Sequence, residues 1–235
     1  PFTEVDESTE NQEPVETRMS ALLEIILTRD VIVFYLVVYM MGVGTTVIYN
    51  FLFLYLADLG GSETLMGISI VFTVATEIPF FFFSGKLLAW FGEEWLLLSA
   101  MVAYIIRVLG YSVLQSPWWV LPLELLHGLT FGAMYAAGIN YSSNLFPPHL
   151  SATGQGIFSG IYAGLGPLCG SLLGEWLYDQ YGPRFMYQSM ACFISLAVVI
   201  LILNFWRQLY QKMSAIVCRP DSSMENNDTE LLDEQ

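Results

Sequence analysis

At 235 residues, 55% hydrophobic and only 13% charged, the chain lacks the charged surface of a soluble domain, in which about 25% of residues are charged. The net charge of −14 argues against nucleic acid as a partner. Three cysteines without ligand spacing, and two histidines outside any hydrolase or H-E-x-x-H pattern, give no sign of a disulfide framework, a metal, a cofactor or an enzyme site.

The acidity belongs to the ends. Six acids fall in Pro1–Thr17 and six in Asp221–Gln235, with no Lys or Arg in either stretch. Residues 1–18 and 210–235 therefore read as solvated, disordered segments, and 19–209 as the folded domain. Asp228-Thr229-Glu230-Leu231-Leu232 resembles an acidic dileucine sorting signal. No cleavable signal peptide precedes the first apolar run, and a chain that starts at Pro1 reads as a piece of a longer one.

Met19–Leu27, closed by Arg29-Asp30, predicts a short juxtamembrane helix. Six apolar runs follow, about Val31–Leu56, Thr64–Leu88, Trp95–Leu114, Trp118–Asn140, Ala152–Leu177 and Phe185–Phe205. Runs of roughly 20 apolar residues span a bilayer as helices. The fold class is thus an all-α membrane protein of six helices with short connections. Pro79, just past Glu77, predicts a kink in the second helix. Trp95, Trp118 and Trp119 fit interfacial belts, and Phe80–Phe83 reads as lipid or core packing. Placing the N-terminus inside puts Arg18, Arg29, Lys86, Arg207, Lys212 and Arg219 on the cytosolic side and leaves Arg184 outside. Both termini are therefore expected to be cytosolic.

The costliest residues lie in the third and fourth runs: Arg107, Glu124 and His127. Ionisable groups at membrane depth usually face protein or a water-filled path. Glu124 and His127 are three apart and share a helix face. At ~1.5 Å per residue, Arg107, Glu124 and His127 lie roughly 10, 9 and 13 Å below the outer surface, so the trio can meet. Glu77 counts to about 20 Å, too deep for a direct partner unless the Pro79 kink moves it. The four residues form either a substrate or proton pathway, with His titrating near neutral pH, or a buried ion pair that sets helix register. Asn50, Asn140 and Gln155 are further polar residues for a pore or for contacts between helices.

Two endings recur three helices apart. Gly85-Lys86-Leu87-Leu88-Ala89-Trp90-Phe91-Gly92 closes the second helix, and Gly174 through Gly182 closes the fifth. One falls inside and the other outside, the mark of a 3+3 inverted repeat. On the fifth helix, Gly156, Gly160 and Gly164 are spaced by four, as are Gly166, Gly170 and Gly174. Such rows let helix backbones approach closely, either for tight packing or as a rocking surface against another helix bundle, and in both cases the helix is expected to be buried in protein.

With these residues in view, the chain resembles the C-terminal half of a major facilitator superfamily transporter. The run Asn50–Leu56 with Gly60-Gly61-Ser62-Glu63-Thr64-Leu65-Met66-Gly67 is similar to the superfamily's seventh-to-eighth helix connection. Gly85–Gly92 resembles its loop motif, with Ala89 and Trp90 at the acid–base pair. Within the superfamily the likeness is to the lactose-permease-like and nucleoside:proton-symporter-like branch. It extends to the animal group called major facilitator superfamily domain-containing protein six. Ile105-Ile106-Arg107-Val108-Leu109-Gly110 looks like the permease segment with the essential arginine, and Leu125-Leu126-His127 like the one with the histidine. The permease's proton-carrying glutamate would fall at Thr130 here. The resemblance implies alternating-access transport of a small polar solute, with protons as candidate co-substrate. It implies an N-terminal six-helix half as partner, in a lipid bilayer of the plasma membrane or an endomembrane. Residues 1–18 would then close a central loop. The alternative is a membrane receptor or scaffold that keeps the fold without transporting.

Overall fold

The computed structural model describes residues 23–217. The acidic segment 1–18, most of the acidic tail and the dileucine pattern lie outside the described residues. The chain divides into two compact units at Leu201 and Ile202, and the account below concerns the first.

The described chain is helical throughout. Helix α1 runs Arg29–Asp58 and is apolar on every side, as a helix packed within a membrane protein must be. It ends in a Schellman motif: Gly61 N–H donates to Leu56 O at 2.8 Å and Gly60 N–H to Ala57 O at 2.9 Å, with Gly60 at φ 81°. Ser62 then caps the next helix by accepting from Leu65 N–H at 3.2 Å. Helix α2 runs Glu63–Ser112 but is two helices joined at Gly92, whose φ 75°, ψ 164° only glycine adopts readily. The break at Gly92 falls between the expected second and third runs, and Pro79 lies inside the first arm.

After a 3-10 turn at Pro117–Trp119 come the short helix α3 (Val120–Glu124), a π-helical segment at Gly128–Ala133, and helix α4 (Met134–Asn144). The limbs Pro117–Glu124 and Gly128–Asn144 are bent by 43°. A second 3-10 turn, Pro148–Leu150, leads into helix α5 (Ser151–Gly160), a second π segment (Ile161–Leu165) and helix α6 (Gly166–Val217). Helix α6 is also two helices, joined at Gly182 with φ 81°, ψ 168°.

Among the described residues, three helices are long and apolar enough to cross a membrane, Arg29–Asp58, Glu63–Ser112 and Pro148–Gln208, and a fourth if the bent pair counts as one span. Two of the three are folded at Gly92 and Gly182. These glycines close the two paired sequence endings, and their dihedrals agree within 6°. The helix starts repeat as well, a signal not used above: Ser62-x-Thr64-x-x-Gly67-Ile68 returns as Ser151-x-Thr153-x-x-Gly156-Ile157.

The two glycine rows on the fifth apolar run have different environments. Gly166 and Gly170 lie against α1 so closely that a Cβ would stand 2.8 Å from Gly42 and 2.6 Å from Val43 O, and a Cβ on Gly174 would meet the Phe51 ring. Asn50 reinforces this seam by donating to Ser171 Oγ at 2.8 Å. Among the described residues, nothing lies within 4 Å of a Cβ placed on Gly156, Gly160 or Gly164. Positions 164 and 166 are two residues apart, which sets the rows about 200° apart around a helix, so only one can face α1. Gly170→Ala should therefore lower thermal stability in detergent by about 1–3 kcal/mol through overpacking. Gly160→Ala should be neutral or raise it, by up to about 1 kcal/mol, through helix propensity. Equal effects from the two variants would refute the assignment.

Candidate functional site

Arg107 stands one turn before Tyr111 on the second arm of α2, and both side chains point into the protein. The Arg107 guanidinium is buried, with 3% of its surface exposed. Four of its five N–H groups are engaged, from three directions. Nη2 donates to Glu124 Oε2 at 2.6 Å, Nε donates to the Tyr111 hydroxyl at 2.6 Å, and Nη1 donates to His127 Nδ1 at 3.0 Å and Thr130 Oγ1 at 3.1 Å. The Tyr111 hydroxyl in turn donates to Glu124 Oε1, so one carboxylate is held by both its oxygens.

These bonds constrain the histidine. A guanidinium has only donors, so His127 Nδ1 must accept and carries no proton while the contact stands. The ring's proton then sits on Nε2, which faces Glu77 Oε2 at 3.6 Å. Glu77 is the least buried of the four ionisable residues, with 28% of its side chain exposed.

The backbone that delivers Glu124, His127 and Thr130 is irregular. The helix is interrupted by a turn at 125–126 and resumes into a π segment at Gly128. The break frees the Gly128 N–H, which donates to Thr76 Oγ1 at 3.2 Å. A Cβ on Gly128 would stand 2.4 Å from Thr76 O, and one on Gly132 3.0 Å from Phe80 Cβ. Glycines spaced by four thus seat the bent limb directly on Thr76–Phe80. Irregular backbone at membrane depth is tolerated where it is buried in protein or lines a cavity, and π segments often mark functional positions.

This seating corrects the depth count for Glu77. The count assumed straight helices, but a 43° bend separates Glu124 from the limb after His127. The contact at Gly128 then draws the first arm of α2 against the break, one residue from Glu77. Glu77 and His127 are partners.

Over the cluster opens a cavity of about 330 Å³. Arg107, Glu124, His127 and Glu77 form one wall, with Ile48, Tyr49, Leu52 and Phe53 from α1 and Ser69, Ile70, Thr73 and Val74 from α2. Phe131 stacks on the imidazole at 5.5 Å and Tyr49 meets it edge-on at 6.1 Å. Tyr111, Tyr49 and Thr76 were not singled out by the sequence reading. The i, i+4 spacing of Arg107 and Tyr111 was the available signal for the first, whereas the other two arrive through tertiary contact. Asn140 and Asn144 lie elsewhere, each donating to Glu93 Oε1, at 2.5 and 2.6 Å. Gln155 reaches Ser143 at 3.4 Å. Among the described residues no group of His, Cys, Asp and Glu could hold a metal ion.

Residues 2–189 match the model of the MFS_1 like family. The chain belongs to that family. It is 29% identical over 167 residues to major facilitator superfamily domain-containing protein 6-like protein A of Xenopus laevis, a match covering 71% of this chain and 27% of that protein. It is 26% identical over 147 residues to maltose permease of Geobacillus stearothermophilus, covering 62% of this chain and 37% of the permease. Its fold matches the crystal structure of the nucleoside transporter NupG (D323A mutant) with a TM-score of 0.70 at 16% identity, over 87% of this chain and 56% of that one. Membership makes the chain an integral membrane protein. It spans 27% and 37% of the length of these two curated relatives.

Removing one partner of a buried ion pair strands the other charge. Arg107→Met or Glu124→Leu alone should cost roughly 3–5 kcal/mol. The double substitution should cost less than the sum, because no charge is left unpaired. A double-mutant cycle of thermal denaturation in detergent checks this, and strict additivity would show that the pair is not coupled.

Proposed function

We propose that this chain forms the second, six-span half of an alternating-access transporter, and that the Arg107 cluster is its solute and proton site. The observation that carries the reading is the grouping of Arg107, Glu124, His127 and Glu77 on one wall of a cavity of about 330 Å³. Charged and hydrogen-bonding groups are costly at membrane depth and cluster on substrate and ion pathways. Pockets of this size and larger take small organic ligands.

The chemistry divides among the four residues. Arg107 and Glu124 neutralise each other and fix the wall. His127 passes the influence of Arg107 to Glu77 through its two ring nitrogens. Glu77 is the carboxylate without a fixed cationic partner, and it faces the cavity. It accepts either a proton or a hydroxyl or amine of a solute, and each competes with the other. Solutes of sugar or nucleoside size suit the cavity, and the names of the permease and of NupG support those two classes.

The shared conformation of Gly92 and Gly182 supports reading each folded helix as two spans, which makes six in a 3+3 inverted repeat. In such transporters the site lies between two halves, so an N-terminal six-span half would close the cavity from the other side. The Lys and Arg distribution supports cytosolic termini. In that orientation the Asp58 and Gly182 ends of the helices face outward and the Gly92 end faces inward.

Uptake into proteoliposomes tests the proposal, with the full-length protein and radiolabelled maltose and uridine as probes under an imposed pH gradient. Wild type should accumulate one of them. Arg107→Ala and His127→Ala should abolish accumulation, and Glu77→Gln should uncouple it from the gradient. Absence of uptake by a wild-type protein that folds and traffics normally, with a broader solute panel also failing, would favour a receptor or scaffold that retains the fold.

A further inference from the structure

The wall that this chain gives the cavity is rich in hydrogen-bond acceptors and poor in free donors. Ser69 and Thr73 line it, and each spends its hydroxyl proton on its own helix, at Met66 O (2.7 Å) and Ile70 O (2.6 Å). Toward an occupant they can only accept. Four of the five Arg107 N–H groups are engaged inside the protein. The remaining imidazole N–H of His127 faces Glu77, whose ionised carboxylate only accepts.

Charge follows the same pattern. The cavity is lined by three residues with formal charge, Arg107, Glu124 and Glu77, and the first two cancel each other across 2.6 Å. His127 stays neutral while its Nδ1 accepts from the guanidinium. Glu77 thus faces an N–H dipole at 3.6 Å and not a full positive charge. The wall carries one net negative charge with Glu77 ionised and none with Glu77 protonated. A bare charge in apolar surroundings is costly, so an occupied, closed cavity needs that carboxylate neutralised. A proton does this, and so does a cation.

The remainder of the wall is apolar. Leu52, Phe53, Ile70 and Val74 line it. The ring of Tyr49, 54% exposed, stands edge-on to His127 and also lines it. The face of such a ring attracts a cation.

We propose that this cavity takes amphiphilic organic cations, with a protonated amine on Glu77 in place of the proton and an apolar body along Tyr49, Leu52 and Ile70. An alkylammonium has donors and no acceptor, the complement of this wall. A carboxylate or phosphate of the same size meets the charge of Glu77 and few free donors, so it is rejected. The proposal rests on the reading of the cavity as the solute site and adds a charge rule to it. A neutral solute enters with Glu77 protonated, whereas a cation displaces that proton to water, and both loaded forms have the same net charge. The titratable and charged groups that border the cavity with Glu77 are Tyr49 from α1, Arg107 from the second arm of α2, and Glu124 and His127 from the bent helix. Arg107 and Glu124 are bonded to each other, which leaves Glu77 as the group for which amine and proton compete. Lowering the pH fills Glu77 with a proton and weakens the amine.

Calorimetric titration of the full-length protein in lipid nanodiscs tests this, with empty nanodiscs subtracted. The probes are phenylethylamine, phenylethanol and phenylacetate, which share a ring and differ in the charge of the head. The amine should bind saturably and the carboxylate should not. Amine affinity should fall on acidification, by at most about tenfold per pH unit, the limit for one competing proton. Titrations in buffers of different ionisation enthalpy should show protons released by the amine and none by the alcohol. Glu77→Gln keeps the shape of the side chain, and it should weaken the amine by about tenfold or more, the worth of a charge-assisted bond. It should also remove the pH dependence and affect the alcohol far less. Absence of saturable amine binding, or equal binding of phenylacetate, would overturn the proposal. So would unchanged amine affinity in Glu77→Gln, the result expected if the N-terminal half sets a fixed cation against Glu77. Amine binding that depends on Glu77 in a protein that takes up no solute would count against the transport reading alone. Uptake of maltose or uridine without amine binding would count against the charge rule alone.

Discussion

The bond between Arg107 and Glu124 is the constraint on which the rest of this chain depends. A guanidinium keeps its charge under any condition a protein meets, so burying one at membrane depth obliges the fold to supply acceptors for every donor. Here Glu124, Tyr111, His127 and Thr130 accept from four of its five N–H groups. Three come from a helix that bends by 43° between them, and the Gly128 N–H at the bend donates to Thr76. The irregular backbone, the glycine contact at Thr76–Phe80 and the position of Glu77 all follow from meeting that one demand.

The same cluster explains why the site is asymmetric. Its interior side is densely bonded, with four of the five Arg107 donors engaged and Glu124 held at both oxygens. Its cavity side ends in Glu77, whose carboxylate faces His127 at 3.6 Å. Rigidity on one side and an unfixed carboxylate on the other is what a site needs if it is to bind alternately a proton and a solute without collapsing when either leaves. The glycine seam between α1 and the fifth apolar run adds a second rigid contact, backbone against backbone, and holds the α1 wall of the cavity in place.

Some of the cluster was legible without coordinates. Charged residues in apolar runs are conspicuous, and the three-residue spacing of Glu124 and His127 brings them to one face whatever the tertiary detail. Glu77 was visible as a residue and misread as a neighbour, because counting residues along straight helices cannot register a bend of 43°. The glycine rows show the same division. Both rows have the same spacing, yet only one lies against α1, and nothing in a period of four says which side of a helix meets another helix.

The amino-acid sequence by itself determined the all-helical membrane class, the positions of the apolar runs and the paired endings at Gly92 and Gly182. Those depend on local quantities: apolar length against bilayer thickness, and a backbone conformation open only to glycine. Tertiary structure alone decided that Glu77 meets His127, that Thr130 and Tyr111 complete the coordination of Arg107, and that Gly166 and Gly170 lie against α1 while Gly160 does not. Each of these depends on how one helix sits against another. That placement is set by summed packing and by the satisfaction of buried donors, to which every helix contributes and which no single segment specifies.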